Sequence, residues 1–154
     1  MLKPVRTKKT EATDAEFAII ASNYNSRYVD GLLRAASAEL KRAGAKPVKI
    51  FRVPGAYEIP VIAAKLAQSP TPPTAIICLG VVLRGETTHA QNIIEAVSHA
   101  FALIQVQYAI PVIHEVLLLE NEAQARARCL NRKHNRGREA AQTALEMARL
   151  IREL

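Results

Sequence analysis

Residues 80 to 89 read Gly-Val-Val-Leu-Arg-Gly-Glu-Thr-Thr-His and follow the apolar run Ala75 to Leu79. A buried strand thus opens into a loop rich in glycine and threonine that closes on His89. Open α/β sheets bind ligands at the carboxyl ends of their strands, and imidazole is the side chain whose ordinary pKa suits proton transfer near neutrality. General acid–base chemistry is the expectation for His89. Two further segments fall at strand ends and can meet the first at one mouth: Asn23-Tyr24-Asn25 and Gly55-Ala56-Tyr57-Glu58.

Each of these residues also has a plainer reading. Tyr24 can stack on a flat heterocycle or serve as a loop aromatic. Glu58 can accept hydrogen bonds from a hydroxylated ligand, or simply complement the dipole of a first helical turn. The backbone N–H groups and hydroxyls of Gly85-Glu86-Thr87-Thr88 precede a helix and can hold a phosphate, with the Glu86 side chain turned away from the anion. His89 itself can be a cap. Lone histidines such as His99 and His114 are most often structural, and His134 sits in a basic turn of solvated character. Arg128, just before that turn, can reach a phosphate as a bidentate donor. The chain has no Gly-Lys-Ser/Thr phosphate loop, no G-x-G-x-x-G fingerprint, no metal-ligand spacing and no nucleophile elbow.

The elements that must position these residues follow from periodicity. Strands are expected at Phe17 to Ser22, Val48 to Val53, Ala75 to Val82 and Val112 to Leu119. Helical spacing links Val29, Leu32, Leu33, Ala36 and Leu40, with Gly44 as a stop. Ile59, Ile62, Ala63 and Leu66 mark a short helix with Pro60 in its first turn. Further helices are expected over Ala90 to Tyr108, over Glu122 to Leu130, and from near Gly137 almost to the end. Strands alternating with helices predict parallel βαβ units with right-handed crossovers. The fold class expected is α/β, a three-layer α/β/α sandwich around a four-stranded parallel sheet. Residues 1 to 15 read as a flexible basic tail, and residues 16 to 154 as a single domain. The apolar content of the last two helices hints at burial against other subunits.

Composition bounds the function. The chain of 154 residues is 49% hydrophobic and 23% charged, as a globular domain is. It has no run long enough for a membrane span and no signal-peptide pattern, so a cytoplasmic protein without a membrane partner is expected. Cys78 and Cys129 read as reduced packing residues. The net charge of +7 divides between the N-terminal tail and Arg126 to Arg138. Neither stretch interleaves aromatics or carries a recognition motif, so no nucleic-acid partner is expected.

Together, Ser22-Asn23-Tyr24-Asn25, Val53 to Pro60, Gly80 to His89 and Ala144-Leu145-Glu146-Met147-Ala148 resemble lumazine synthase, in order and at family spacing over roughly Phe17 to Leu150. The resemblance implies a flavodoxin-like fold and a transferase of riboflavin biosynthesis. The reaction it implies condenses 5-amino-6-(D-ribitylamino)uracil with 3,4-dihydroxy-2-butanone 4-phosphate to 6,7-dimethyl-8-ribityllumazine, phosphate and water. The alternative is a non-catalytic flavin- or lumazine-binding, or shell-forming, homologue. By position His89 matches the family's proton-transfer residue, and Tyr24 the aromatic, often Phe or Trp, that stacks on the pyrimidine. Ala56, Tyr57 and Glu58 match the uracil and ribityl segment, and Val81, Val82 and Leu83 the strand end that meets the pyrimidine. Glu86 and Thr87 match the phosphate loop, and Arg128 the phosphate-binding arginine. His114 stands where the family usually has an apolar residue, often Phe, beside the heterocycle. No cofactor and no metal are implied. The implied partners are the two small substrates, further copies in at least a pentamer with sites at subunit interfaces, and riboflavin synthase. The turn His134-Asn135-Arg136-Gly137 replaces a common Gly-Asn-Lys-Gly, in a segment linked to whether pentamers assemble into a shell.

Overall fold

A computed structural model describes residues 10–12 and 14–154. The order along the chain is β1 (Phe17–Ser22), α1 (Ser26–Arg42), β2 (Lys49–Val53), a single 3-10 turn (Ala56–Glu58), α2 (Ile59–Ala67), β3 (Ala75–Leu83), α3 (His89–Tyr108), β4 (Val112–Leu119), α4 (Glu122–Cys129) and α5 (Arg136–Glu153). The four strands form one parallel sheet in the order β2-β1-β3-β4. The expected three-layer α/β/α architecture is the one observed.

Both faces of the sheet are covered, as parallel strands require. The period of two along each strand divides the core. Phe17, Ile19 and Ala21 of β1 and Ile77 and Leu79 of β3 pack with α1, α4 and α5. Ile20, Ile76 and Cys78 point the other way, against α2 and α3. Cys78 and Cys129 are free and buried, and burial alone pushes the Cys78 thiol far above its ordinary range.

The structure corrects one expectation about the last two helices. The apolar face of α5, including Ala140, Ala144, Leu145 and Ala148, is buried within the chain, together with Ala125 and Cys129 of α4. Exposed apolar side chains lie on α2 and α3, at Val61, Leu103 and Val106, the last 79% exposed, and near the end of α5, at Leu150 and Ile151. Of residues 1 to 15, residues 1–9 and 13 lie outside the described residues. Thr10 donates to Glu146 Oε2 at 3.0 Å, and the Ala12 N–H donates to the Ala43 carbonyl at 2.9 Å. No helix among the described residues is long and apolar enough to cross a membrane.

Two glycines set how closely α1 meets its neighbours. A Cβ on Gly31 would lie 2.4 Å from the Cys129 carbonyl oxygen, and one on Gly137 would lie 2.0 Å from the Leu32 carbonyl oxygen. Both obstacles are backbone, so neither can swing aside. Gly137→Ala is therefore expected to destabilise the fold by about 1–3 kcal/mol, read as a lower midpoint in urea. An unchanged midpoint would show that the α1–α5 contact is slack.

Candidate functional site

A cavity of about 750 Å³ opens at the carboxyl ends of β1 and β3. Main-chain bonds pin its two left-hand loops together. The Asn23 N–H donates to the carbonyls of Val53 and Pro54 at 2.8 and 3.1 Å, and the Tyr24 N–H donates to Pro54 at 3.0 Å. Arg52 braces the same corner from β2: it donates to Asn23 Oδ1, to Asp30 Oδ1 and to the Ser22 carbonyl at 3.1, 2.7 and 3.1 Å.

Asn25 joins this corner to β3. Its φ of 58° and ψ of 41° place it in the left-handed region as it starts α1, a conformation that asparagine tolerates better than most residues. From there its Nδ2 donates to the Val81 carbonyl at 2.8 Å. Gly55 is extended, so its backbone does not demand glycine. Its role is room: a Cβ there would lie 2.8 Å from two carbons of the Tyr24 ring and 3.1 Å from Glu58 Oε2. Tyr24 and Tyr57 are 66% and 65% exposed, which makes them surfaces for a ligand rather than core residues.

On the far side β3 runs one residue beyond the expected end, to Leu83, because Leu83 still pairs with Leu119. The helix α3 then begins at His89, and the His89 N–H donates to Thr87 Oγ1 at 3.3 Å. The cavity thus brings together Tyr24, Ala56, Tyr57, Glu58, Val81, Val82, Leu83 and His89. An imidazole, a carboxylate, two phenols and the β3 backbone converge on one concave space, an arrangement suited to holding a flat polar ring and moving protons at its edge.

Four other sequence-predicted residues do not line this cavity. Glu86 and Thr87 belong to the exposed loop before α3, and the adjacent Arg84 turns outward to Glu120 at 2.9 Å. Arg128 is exposed on α4 and makes no hydrogen bond or salt bridge among the described residues. His114 lies on the edge strand β4, where its ring meets Phe101 edge-on with centroids 5.0 Å apart. Conversely, Asn25 and Gly55, which belong to the strand-end segments but were given no individual role, line the cavity, as do three residues that sequence reasoning did not place there, Asn92, Ile93 and Ala96. The last three follow His89 at i+3, i+4 and i+7, the spacing of one helical face, and that spacing was the signal available to find them.

The bonds around His114 define its proton. Its Nδ1 accepts from the Val116 N–H at 3.2 Å, so the ring proton sits on Nε2 and faces Ser98 Oγ at 2.7 Å. Desolvation holds its pKa below the ordinary 6.5. The unfolded chain therefore takes up a proton first on acidification. The contribution of His114 to stability is complete above pH 6.5 and declines as pH falls from there towards the depressed folded value. His114→Phe is expected to lose less stability than the parent between about pH 7 and pH 5, measured by urea midpoints. Parallel curves for the two proteins would contradict this account of the ring.

Comparison with known proteins adds an independent line. The sequence model of a family described as 6,7-dimethyl-8-ribityllumazine synthase matches residues 14–152. A 6,7-dimethyl-8-ribityllumazine synthase of Desulfotalea psychrophila is 41% identical over 143 residues, 92% of each chain. One from Clostridium kluyveri is 41% identical over 148 residues, 95% of this chain and 96% of its own. Another, from Stenotrophomonas maltophilia, is 37% identical over 142 residues, 91% of each.

Proposed function

The chain belongs to the 6,7-dimethyl-8-ribityllumazine synthase family, and we propose that it condenses 5-amino-6-(D-ribitylamino)uracil with 3,4-dihydroxy-2-butanone 4-phosphate in riboflavin biosynthesis, using the cavity between β1 and β3. The observation that carries this reading is the convergence of His89, Glu58, Tyr24 and the end of β3 on one cavity.

In the proposed mechanism the uracil ring stacks on Tyr24, and its edge meets the backbone of Val81 to Leu83. Ala56, Tyr57 and Glu58 hold the ribityl chain, with the Glu58 carboxylate accepting from its hydroxyls. The uracil's 5-amino group attacks the ketone carbonyl, the carbinolamine loses water, and a Schiff base forms. Loss of phosphate follows. Removal of the C3 proton as phosphate departs leaves an enol, which ketonises so that the former C3 hydroxyl carbon becomes a carbonyl beside a methyl group. The ribitylamino nitrogen closes the ring on that carbonyl, and a second water leaves. His89 moves the protons these steps require. Both substrates are reactive, so holding them in register supplies much of the acceleration. Proton transfer at His89 adds roughly 10²–10⁴-fold.

Among the described residues no lysine or arginine lines this cavity to meet the substrate phosphate. We assign that role to Arg128 of a neighbouring copy, with His114 beside the heterocycle and Glu86 and Thr87 forming the phosphate loop. This assignment requires a homo-oligomer, which the family resemblance extends to at least a pentamer. The unpaired outer edge of β4 and the exposed Leu103 and Val106 on α3 supply surface for such contacts. The assigned compartment is the cytoplasm.

The test is a mixing assay that follows lumazine absorbance against the uncatalysed reaction. Wild-type protein should accelerate product formation clearly. His89→Ala should fall by roughly 10²–10⁴-fold yet stay above background. Arg128→Ala should raise the KM for the butanone phosphate while leaving that for the aminouracil near its wild-type value. Activity of His89→Ala equal to wild type, or an unchanged KM in Arg128→Ala, would remove that residue from the site.

A further inference from the structure

A second cavity, of about 670 Å³, lies between the C-terminal half of α1 and the α4–α5 turn. It shares no lining residue with the cavity at the β1 and β3 ends. Its walls carry Arg34, Arg42, Arg132 and Arg138 against the single carboxylate of Glu39. Arg42 is committed to that carboxylate: its Nε and Nη2 donate to Glu39 Oε1 at 3.1 and 2.7 Å, which holds the Glu39 carboxyl below its ordinary range. Arg138 donates to the Arg132 carbonyl at 2.6 Å, so it fixes the turn while keeping its charge. Arg34 and Arg132 make no side-chain hydrogen bond or salt bridge among the described residues. The cavity therefore holds an excess of three positive charges on a concave wall.

The floor beneath those charges is rigid. Asn135 is buried; its Nδ2 donates to the carbonyls of Cys129 and Gly31 at 2.7 and 3.3 Å, and its Oδ1 accepts from the Gly137 N–H at 2.8 Å. Asn135 also begins the 18-residue helix α5, so the positive end of that helix adds to the field. Leu130, Ala35 and Ala38 provide apolar wall beside the guanidiniums. Like charges gathered in a concavity repel unless an anion joins them, and guanidinium forks match phosphate oxygens in pairs.

We propose that this cavity is a second binding site, for a small phosphorylated molecule that carries at least two phosphate charges and a compact apolar or polar body. The site is separate from the condensation reaction. Its expected determinants are the two unengaged guanidiniums of Arg34 and Arg132, with Arg138 and the α5 terminus behind them.

The test is calorimetric titration of the full-length protein with inorganic pyrophosphate, on wild type, on Arg34→Gln/Arg132→Gln and on Arg34→Lys/Arg132→Lys. Wild type should saturate. The glutamine pair should bind roughly 10²-fold more weakly, since each charged hydrogen-bond partner lost costs about tenfold. The lysine pair, which keeps charge but not the fork, should fall between them. Lumazine formation and the thermal midpoint of the glutamine pair should match wild type, which separates loss of the site from loss of the fold. Equal affinity in wild type and the glutamine pair would overturn the proposal by placing pyrophosphate elsewhere. So would failure of wild type to saturate, or binding of a long polyanion such as heparin without binding of pyrophosphate.

Discussion

The side-chain bond from Asn25 to the Val81 carbonyl is the constraint on which the cavity at the β1 and β3 ends depends. The strand order β2-β1-β3-β4 makes β1 and β3 central neighbours. Chain connections leave that pair in opposite directions, so their carboxyl ends form a crevice at a topological switch point. A crevice alone does not orient anything. Asn25, in a left-handed conformation at 2.8 Å from Val81 O, fixes the depth at which the Tyr24 loop sits over β3. The Asn23 and Tyr24 backbone bonds to Val53 and Pro54 then carry the Gly55 to Glu58 segment along with it. Three segments distant in sequence thereby share one geometry.

Charge is distributed around this geometry in a way that separates tasks. The cavity at the β1 and β3 ends contains one carboxylate and one imidazole among hydroxyls, amides and apolar walls. Four arginines, Arg34, Arg42, Arg132 and Arg138, line a separate cavity along α1 and the α4–α5 turn. The half-buried Arg136 is paired, meeting the buried Glu115 at 2.8 Å. Desolvation nonetheless dominates there and raises the Glu115 pKa, which marks this pair as a feature of packing more than a source of net stability. Arg34 on α1, Arg128 on α4 and Arg132 in the turn are exposed and make no ion pair among the described residues, so they are free to meet an anion.

Much of this was legible in the residues because the local signals agreed with one another. The bounds of β1 and β4 match their apolar runs, since Asn23 and the Glu120-Asn121 pair punctuate them sharply. Clustering of Tyr24, Ala56, Tyr57, Glu58 and His89 at strand ends followed from topology. What escaped was long-range. Arg52 reaches three partners across two loops, and the Asn25 bond spans 56 positions in the chain, which no local pattern displays. The alanines of α5 looked available for contact with another subunit, yet α1 covers them, because Gly31 and Gly137 let the helices approach more closely than spacing alone suggests. Arg128 and His114 do not line the cavity at the β1 and β3 ends, which their positions in the sequence did not display.

In the proposed reaction a cavity built by one chain is completed by a second. Co-expression of the His89→Ala and Arg128→Ala variants, with separable tags to isolate mixed assemblies, tests it directly. Each variant alone lacks one half of every site. If Arg128 serves the neighbouring copy, mixed assemblies contain some sites with both residues intact, and they should form lumazine well above either parent. If both residues act within one chain, no mixed site is repaired, and activity no higher than the average of the two parents would contradict the account.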